Sequence, residues 1–350
     1  MFCYTGDICT FWAGWDFTAE ARASAGGTLA LTLDPIPPRV IGPDDRRAHY
    51  MLGVNVDYPW AHGRGSGLVV SFEQACPQAL TLTVTPDTLR PVLPAGSTIP
   101  AALASVPTQA LVTAHVQSCP AAPGEAPASV EVRFTVEPPA PGSAEAGGHA
   151  HDTARPKGTL RRDGQPATSC TAALDAEGLG ACTFTYQPSE VSGGETIKAE
   201  ADGFPAAATP VTVQVPGLRP MPESGIGAWR LTGATGAHPG SHYGTPETVT
   251  RTAAMATDYF ALHGESIGVN DISLVWGGLF DIGGNWVPPH LGHRIGRGVD
   301  IDRCAQSLVK QDDLDEIAEF YSGVRTVEKA LAPPGCPGPP DTPRIHYDFP

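Results

Sequence analysis

Val130-Glu131-Val132-Arg133-Phe134-Thr135-Val136-Glu137 alternates apolar and polar side chains without a break. Successive side chains of an extended chain point to opposite faces, so this stretch is expected to bury one face and wet the other. The same period of two recurs at Leu80, Leu82 and Val84 among threonines. It returns at Cys182, Phe184 and Tyr186, which alternate with Thr183, Thr185 and Gln187, and again at Val211, Val213 and Val215. Strands of this kind, spaced by turn residues, predict an antiparallel two-sheet sandwich over residues 79–217.

The chain around it has 350 residues, room for two or three domains. Glycine (40) and proline (36) are abundant, yet 41% of residues are hydrophobic. That mixture excludes a coiled coil and a wholly disordered chain, and it suits short strands joined by tight turns. Lysine and arginine number 22 against 37 acids, a net charge of −15. With no basic stripe to displace phosphate counterions, a nucleic-acid partner is not expected. No apolar run reaches the roughly 18 residues of a membrane span, so no membrane span is expected either.

The eight cysteines (Cys3, Cys9, Cys76, Cys119, Cys170, Cys182, Cys304 and Cys336) form no C-x-x-C pair. Zinc-ribbon and thioredoxin-like spacings are therefore missing, and disulfides in an oxidising compartment are the expectation. Cys170 with Cys182, flanking a hairpin, and Cys304 with Cys336 are pairings to consider; spacing leaves the connectivity open. A secreted, periplasmic or cell-envelope location follows from the cysteines, although the first residues show no basic segment followed by an apolar one.

Residues 1–78 read as a β-rich N-terminal region of unknown role, with strand candidates at Thr28–Leu33 and Met51–Val56. Residues 218–350 read as an α+β domain, reached through a linker-like Pro216–Pro222. There Thr245, Pro246 and Glu247 supply an N-cap, a proline at the first helical position and an early acid. Val249, Ala253, Ala256, Phe260 and His263 follow at helical spacing, and Gly264 can end the helix. A second helix is expected over Asp312–Tyr321, with Leu314, Ile317 and Tyr321 on one face. Its acidic start, Asp312, Asp313, Asp315 and Glu316, suits the macrodipole rather than calcium. Between the helices, Ile267–Asp302 reads as strands and loops.

The chemistry concentrates in Trp286-Val-Pro-Pro-His290-Leu-Gly-His293-Arg-Ile-Gly296-Arg-Gly298-Val-Asp300-Ile-Asp302, an H-x2-H-x6-D run. Spacing alone is weak; the flanking Gly296 and Gly298 allow tight turns and close approach. Val299-Asp300-Ile301 reads as a short strand with the carboxylate opposite its two apolar neighbours. His346 arrives late, in the alternating Arg344-Ile345-His346-Tyr347-Asp348-Phe349. Two imidazoles and a carboxylate on neighbouring strands suit catalytic zinc, because three protein ligands leave the fourth tetrahedral position open to water. Asp302, Asp281 or Asp348 could orient the ligand imidazoles.

Asn270-Asp271-Ile-Ser273-Leu274-Val-Trp-Gly277-Gly278-Leu-Phe-Asp281, then His290 to Asp300, then Ile345-His346-Tyr-Asp-Phe, resembles zinc peptidases of the lysostaphin, D-Ala-D-Ala metallopeptidase and hedgehog group. The motif is similar to that of the penicillin-insensitive murein endopeptidases, which also carry a histidine three residues before the first ligand. The resemblance covers about Ala237–Phe349. It implies that His293, Asp300 and His346 bind Zn2+, that His290 stands beside the metal as a catalytic residue, and that the substrate is a peptidoglycan stem peptide or cross-link. Two departures stand out. Leu291 occupies the position of a serine in the carboxypeptidase branch. Arg344 and Pro343 occupy positions that supply a histidine or glutamate base, and neither can take a proton; Asp341 is the nearest carboxylate in sequence.

The sandwich segment resembles bacterial Ig-like domains, particularly at Ala173–Tyr186 and Gly194–Gly203. That resemblance implies a spacer or adhesion module. The expected protein is thus multidomain: a β-rich N-terminal region, an Ig-like antiparallel β-sandwich and a C-terminal α+β zinc-peptidase-like domain. Its expected function is a zinc metallopeptidase, a hydrolase acting on cell-wall peptides. Two alternatives stay open: a peptidase-like binding module without turnover, and an extracellular adhesion or structural protein whose histidines are incidental. Ordinary roles are expected for the remaining histidines. His149 and His151 sit in a Gly-rich exposed loop of the sandwich, with adventitious metal binding as the lesser alternative; His238 and His242 sit in a loop, where His242 could line the peptidase cleft, and His115 lies within a strand. Bond specificity and oligomeric state leave no trace in the sequence.

Overall fold

The computed structural model describes strand segments within residues 2–73, and residues 78–350 apart from 96, 120–125, 127, 152–153, 282, 288–291, 303–310 and 329–343. The chain divides into two compact units, one of Met1–Pro77, Ser118–Ala128 and Asp175–Gly178, the other of Gln78–Gln117, Ser129–Leu174 and Leu179–Pro350.

In the first unit, β1 (Phe2–Cys3), β2 (Ile8–Ala13), β3 (Phe17–Ala23) and β4 (Leu29–Thr32) form a four-stranded antiparallel sheet in chain order. β5 (Arg47–Leu52) pairs with β8 (Leu68–Glu73), and β6 (Asn55–Tyr58) pairs with β7 (Ala61–Arg64). The strand expected at Thr28–Leu33 is β4. The one expected at Met51–Val56 divides between β5 and β6.

In the second unit the alternating stretches become the strands of a two-sheet sandwich. They are β9 (Ala79–Thr85), β10 (Thr88–Leu89), β11 (Ala110–Gln117), β12 (Ser129–Glu137) and β13 (Thr159–Arg162). β14 (Gln165–Pro166), β15 (Ser169–Ala173), β16 (Leu179–Gln187), β17 (Gly193–Glu200) and β18 (Ala207–Val213) complete it. One sheet runs β10-β18-β17-β12-β15 and the other β14-β13-β16-β11-β9. Every other residue of β11, β12 and β16 faces inward. Val112, Ala114, Val116, Val132, Phe134, Phe184 and Tyr186 join Ile197 and Ala199 in one core. Phe134 and Phe184 meet across it with ring centroids 4.6 Å apart, and each large side chain so buried contributes about 1.5–3 kcal/mol.

Cys170 and Cys182 are joined, as the sequence suggested, with a Cα–Cα distance of 6.2 Å. The geometry differs from the expected hairpin. Cys170 lies on β15, which pairs with β12, and Cys182 on β16, which pairs with β11 and β13, so the bond ties one sheet to the other. A polar contact also lies within the sandwich: buried Glu195 accepts from the Tyr186 hydroxyl at 2.8 Å and from the Gly158 N–H. Burial raises the Glu195 carboxyl above its ordinary value, against the opposing hydrogen bonds.

The C-terminal part contains β19 (Arg219–Pro220), β20 (Trp229–Leu231), β21 (Tyr243–Gly244), α2 (Pro246–His263) and β22 (Ile267–Asp271). It continues with β23 (Gly298–Ile301), α3 (Gln311–Phe320), β24 (Val324–Glu328) and β25 (Arg344–Asp348), while α1 is a single turn in the sandwich at Ala101–Ala104. The sheet runs β20-β22-β23-β25-β24. The Thr245 side chain caps α2 by accepting from the Thr248 N–H, and Gly264 ends it in the left-handed conformation at φ 70°. The buried stripe of α2 is Thr248, Val249, Thr252, Met255, Ala256 and Tyr259. The expected face therefore holds at Val249 and Ala256 but has turned away from Phe260, since Thr248 and Thr252 are buried along with Met255 and Tyr259.

Pro216–Pro222 is no free linker. β19 within it pairs with β21, and Met221 enters the C-terminal core. The sandwich meets the C-terminal part through main-chain bonds from Val215 N–H to Trp276 C=O and from Leu279 N–H to Glu190 C=O, each 2.8 Å. Among the described residues no helix is long and apolar enough to cross a membrane.

Candidate metal centres

β23 and β25 lie side by side in antiparallel register, with Val299 opposite Tyr347, Asp300 opposite His346 and Ile301 opposite Ile345. Alternation then sorts the side chains. Val299, Ile301, Ile345 and Tyr347 pack into the core with α2 and α3, and Asp300 and His346 share the other face. His293 comes from the short 3-10 turn Gly292–Ile295 that precedes β23.

All three side chains are buried, and each offers one ligand atom within 4.8 Å of the others. His293 Nε2 lies 3.3 Å from Asp300 Oδ1, and His346 Nδ1 lies 2.6 Å from the same oxygen. The outer nitrogens are oriented as ligand imidazoles require. His293 Nδ1 stands 2.7 Å from the Ile272 carbonyl, which can only accept, so Nδ1 carries the proton and Nε2 keeps its lone pair. His346 Nε2 lies 3.2 Å from Asp348 Oδ1. Gly298 makes room for the second ring: a Cβ there would stand 2.6 Å from His346 Cε1.

The charges are matched. Burial pushes Asp300 up, but the His293 and His346 imidazoles outweigh it and hold the carboxyl well below the carboxylate range. Burial pulls His346 down, yet Asp300 and Asp348 lift it to about 10. His293 is raised in the same way by Asp300 against burial. Those imidazoles favour a proton when nothing else occupies the site; a divalent cation supplies the same charge. Two imidazole nitrogens and one carboxylate form a donor set that fits zinc, with a fourth position to spare. Asp271 stands opposite Asp300 across β22 and β23. It is buried, with Oδ1 lacking a hydrogen-bond partner, and burial lifts its carboxyl to about 6.

The structure thus brings together His293, Asp300 and His346, and of the three carboxylates that could orient a ligand imidazole it places Asp348 beside His346. His290, Leu291, Asp341 and Pro343 lie outside the described residues, as do Cys304 and Cys336. Asp302 follows β23, and its N–H bonds to Gly268 C=O on β22. His242 is engaged by the Thr232 and Val269 carbonyls at 2.6 and 3.2 Å. Asp281 belongs elsewhere.

A second cluster gathers His149, His151, His238 and Asp281. His149 and His151 lie in the sandwich connection between β12 and β13, and the expectation of an exposed loop there is corrected: His149 is fully buried and His151 largely so. The loop folds down because Gly147 and Gly148 take left-handed backbone at φ 69° and 104°. The Ala150 N–H then bonds to Ala237 C=O at 2.8 Å. Asp281 Oδ1 lies 3.4 Å from His149 Nδ1, 3.3 Å from His151 Nε2 and 3.0 Å from His238 Nε2. Its other oxygen accepts from the Trp286 N–H. Burial lowers His149 to about 4, so that ring is neutral at pH 7. Burial pushes Asp281 up, but hydrogen bonds from His149, His238 and the Trp286 N–H hold it below the carboxylate range. The one sequence signal for this cluster was His149-Ala-His151, whose partners lie far along the chain.

No family model and no curated protein matches the chain. Among solved structures it is similar to a glycosyl hydrolase family 2 member from Bacteroides cellulosilyticus at 13% identity, covering 44% of this chain and 16% of that one, with a TM-score of 0.22. It is similar to a family 2 β-glucuronidase at 20% identity, covering 43% and 13%, TM-score 0.21. The Yersinia pseudotuberculosis adhesin InvE matches at 14% identity over 58% of this chain and 55% of that one, TM-score 0.24. The chain therefore spans well under two thirds of each.

Proposed function

We propose that the C-terminal part is a zinc metallopeptidase domain of the lysostaphin, D-Ala-D-Ala metallopeptidase and hedgehog group, carried beside an Ig-like spacer and acting outside the cytoplasm on peptidoglycan stem peptides or cross-links. The carrying observation is the convergence of His293, Asp300 and His346 as a buried three-donor set, with His293 oriented by Ile272 C=O and His346 by Asp348. His293 would bind through Nε2, His346 through Nδ1 and Asp300 through a carboxylate oxygen. A zinc ion held there lowers the pKa of its water toward neutrality and polarises a carbonyl. Asp271, opposite Asp300 with one buried carboxylate oxygen unpartnered, is the group we assign to take up the proton. His290 lines the same site in the resemblance. The negative charge of the chain and the absence of a basic stripe favour a peptide substrate over a polyanion.

Purified peptidoglycan incubated with the zinc-loaded chain should release new amino groups, and His293→Ala should abolish both the release and one equivalent of zinc. Asp271→Asn should keep the zinc and lose turnover by a factor of about 10²–10⁴, the usual contribution of a general base. Zinc retained in full by His293→Ala would refute the ligand assignment. Arg344, where related peptidases place a base, favours a second reading: a zinc-holding module that binds cell-wall peptide without cutting it. Binding with no amine release from either protein would select it.

A further inference from the structure

We infer that His149, His151, His238 and Asp281 form a second metal site, a closed tetrahedral zinc centre that staples the sandwich loop to the C-terminal part. Three imidazole nitrogens and one carboxylate oxygen aim at a common point. Asp281 Oδ1 lies 3.4, 3.3 and 3.0 Å from His149 Nδ1, His151 Nε2 and His238 Nε2, and His149 Nδ1 lies 3.3 Å from His151 Nε2. Ligands held about 2.0–2.1 Å from one zinc ion stand about 3.3–3.4 Å apart along a tetrahedral edge. Four of the six edges fall at 3.0–3.4 Å, and all four donors lie within 4.8 Å of one another.

A cluster held only by hydrogen bonds accounts for the arrangement less well. Each neutral imidazole carries one N–H. Were all three rings to donate to Asp281 Oδ1, that single oxygen would take three bonds, and His149 and His151 would point protons at one another. One cation accepts the four lone pairs at once and relieves the crowding of N–H groups on Asp281 Oδ1. Trp286 covers His149 and His151 at centroid distances of 4.8 and 4.3 Å, and Phe280 packs edge-on to His238 at 5.3 Å. This aromatic wall strengthens electrostatics inside it.

The ligand count separates this site from the first. Four protein ligands close the coordination sphere, the pattern of structural zinc, whereas three leave a position for water. The ligands also come from both sides of a junction: His149 and His151 from the sandwich, His238 and Asp281 from the C-terminal part. The two clusters share no ligand; Phe280 packs on His238 and, at 5.8 Å, on His293. They should therefore load independently.

Zinc analysis of the full chain purified without added metal decides the matter. Two equivalents are expected in the wild type, one in His293→Ala, one in His151→Ala and none in the double variant. X-ray absorption on His293→Ala should show one zinc with about four nitrogen or oxygen neighbours at about 2.0–2.2 Å and the multiple scattering of imidazoles. A strong chelator should lower the thermal midpoint of His293→Ala and leave the double variant unmoved. Should His151→Ala fail to fold, the His293→Ala measurements stand on their own. A wild type holding a single zinc that His293→Ala removes would overturn the second centre, as would residual zinc in His293→Ala without a histidine-rich shell.

Discussion

Gly298→Ala tests the first metal centre without touching a ligand. A Cβ at this position would stand 2.6 Å from His346 Cε1, 3.0 Å from His346 Nε2 and 3.2 Å from the Gly292 carbonyl carbon. Carbon atoms pack at about 3.5–4.0 Å, so the ring must retreat by about 0.9 Å or the strand must yield. Metal–ligand distances tolerate only about ±0.2 Å. Asp300 already stands 2.6 Å from Nδ1, the atom next to Cε1, so a shift of the ring also changes the donor set. Zinc affinity at this site should fall by at least the roughly 10–100-fold seen when an orienting partner is lost. The overpacking itself should cost about 1–3 kcal/mol of stability. Competition with a chromogenic chelator measures the first, and urea unfolding of the metal-free protein the second. Gly225→Ala serves as a control, since its added Cβ meets no atom within 4 Å. Unchanged zinc affinity in Gly298→Ala would mean that His346 does not bind metal in the orientation it adopts here.

Asp348→Ala should weaken zinc by about 10–100-fold by freeing the His346 ring, with little change in unfolding because the Asp348 side chain is half-exposed; equal affinity would show that Asp348 does not orient the ring. Replacing both Cys170 and Cys182 by alanine should cost about 3 kcal/mol in denaturant unfolding, the loop entropy for a separation of 12 residues, and a loss near zero would deny the inter-sheet bond a role in stability. Glu195→Gln tests a pH dependence. Burial raises the folded pKa of Glu195 above its ordinary 4.5, so the folded state holds the proton more tightly. That contribution is fully present below the unfolded pKa and is lost as pH rises through the folded one. Thermal midpoints of the glutamine variant should therefore gain on the wild type as pH climbs from about 4.5; a constant offset at all pH values would refute the assignment.

Alternation made the sandwich and the first centre legible for the same reason. A period of two assigns Val112 and Phe184 to a core, and equally assigns Asp300 and His346 to the face opposite Val299 and Tyr347. The strand pairing that joins these two faces could not be read locally, and it came instead with the resemblance to the zinc peptidases. Helix ends were also legible, because Thr245, Pro246 and Gly264 act on their own neighbours. The helical face was less so: counting threonine as polar hides Thr248 and Thr252, which are buried with the apolar stripe of α2. For Cys170 and Cys182, closeness in sequence suggested a hairpin, but a chain that leaves one sheet and enters the other brings two cysteines equally near.

Of the second cluster only His149-Ala-His151 showed in the sequence, for a different reason. Its ligands sit on three connecting segments, where no period sorts inside from outside, and His149-Ala-His151 amid glycines has the composition of a solvated loop. What places them is backbone hydrogen bonding around each ligand. Ala150 N–H reaches Ala237 C=O, Thr235 and His238 exchange main-chain bonds of 3.2 Å in each direction, and Gly284 N–H closes a turn on Asp281 C=O at 2.8 Å. Each segment is thus held by its own bonds, and these set where the four donor atoms stand. A site prepared in this way needs little ordering when metal arrives, so its affinity is not spent on folding the loop.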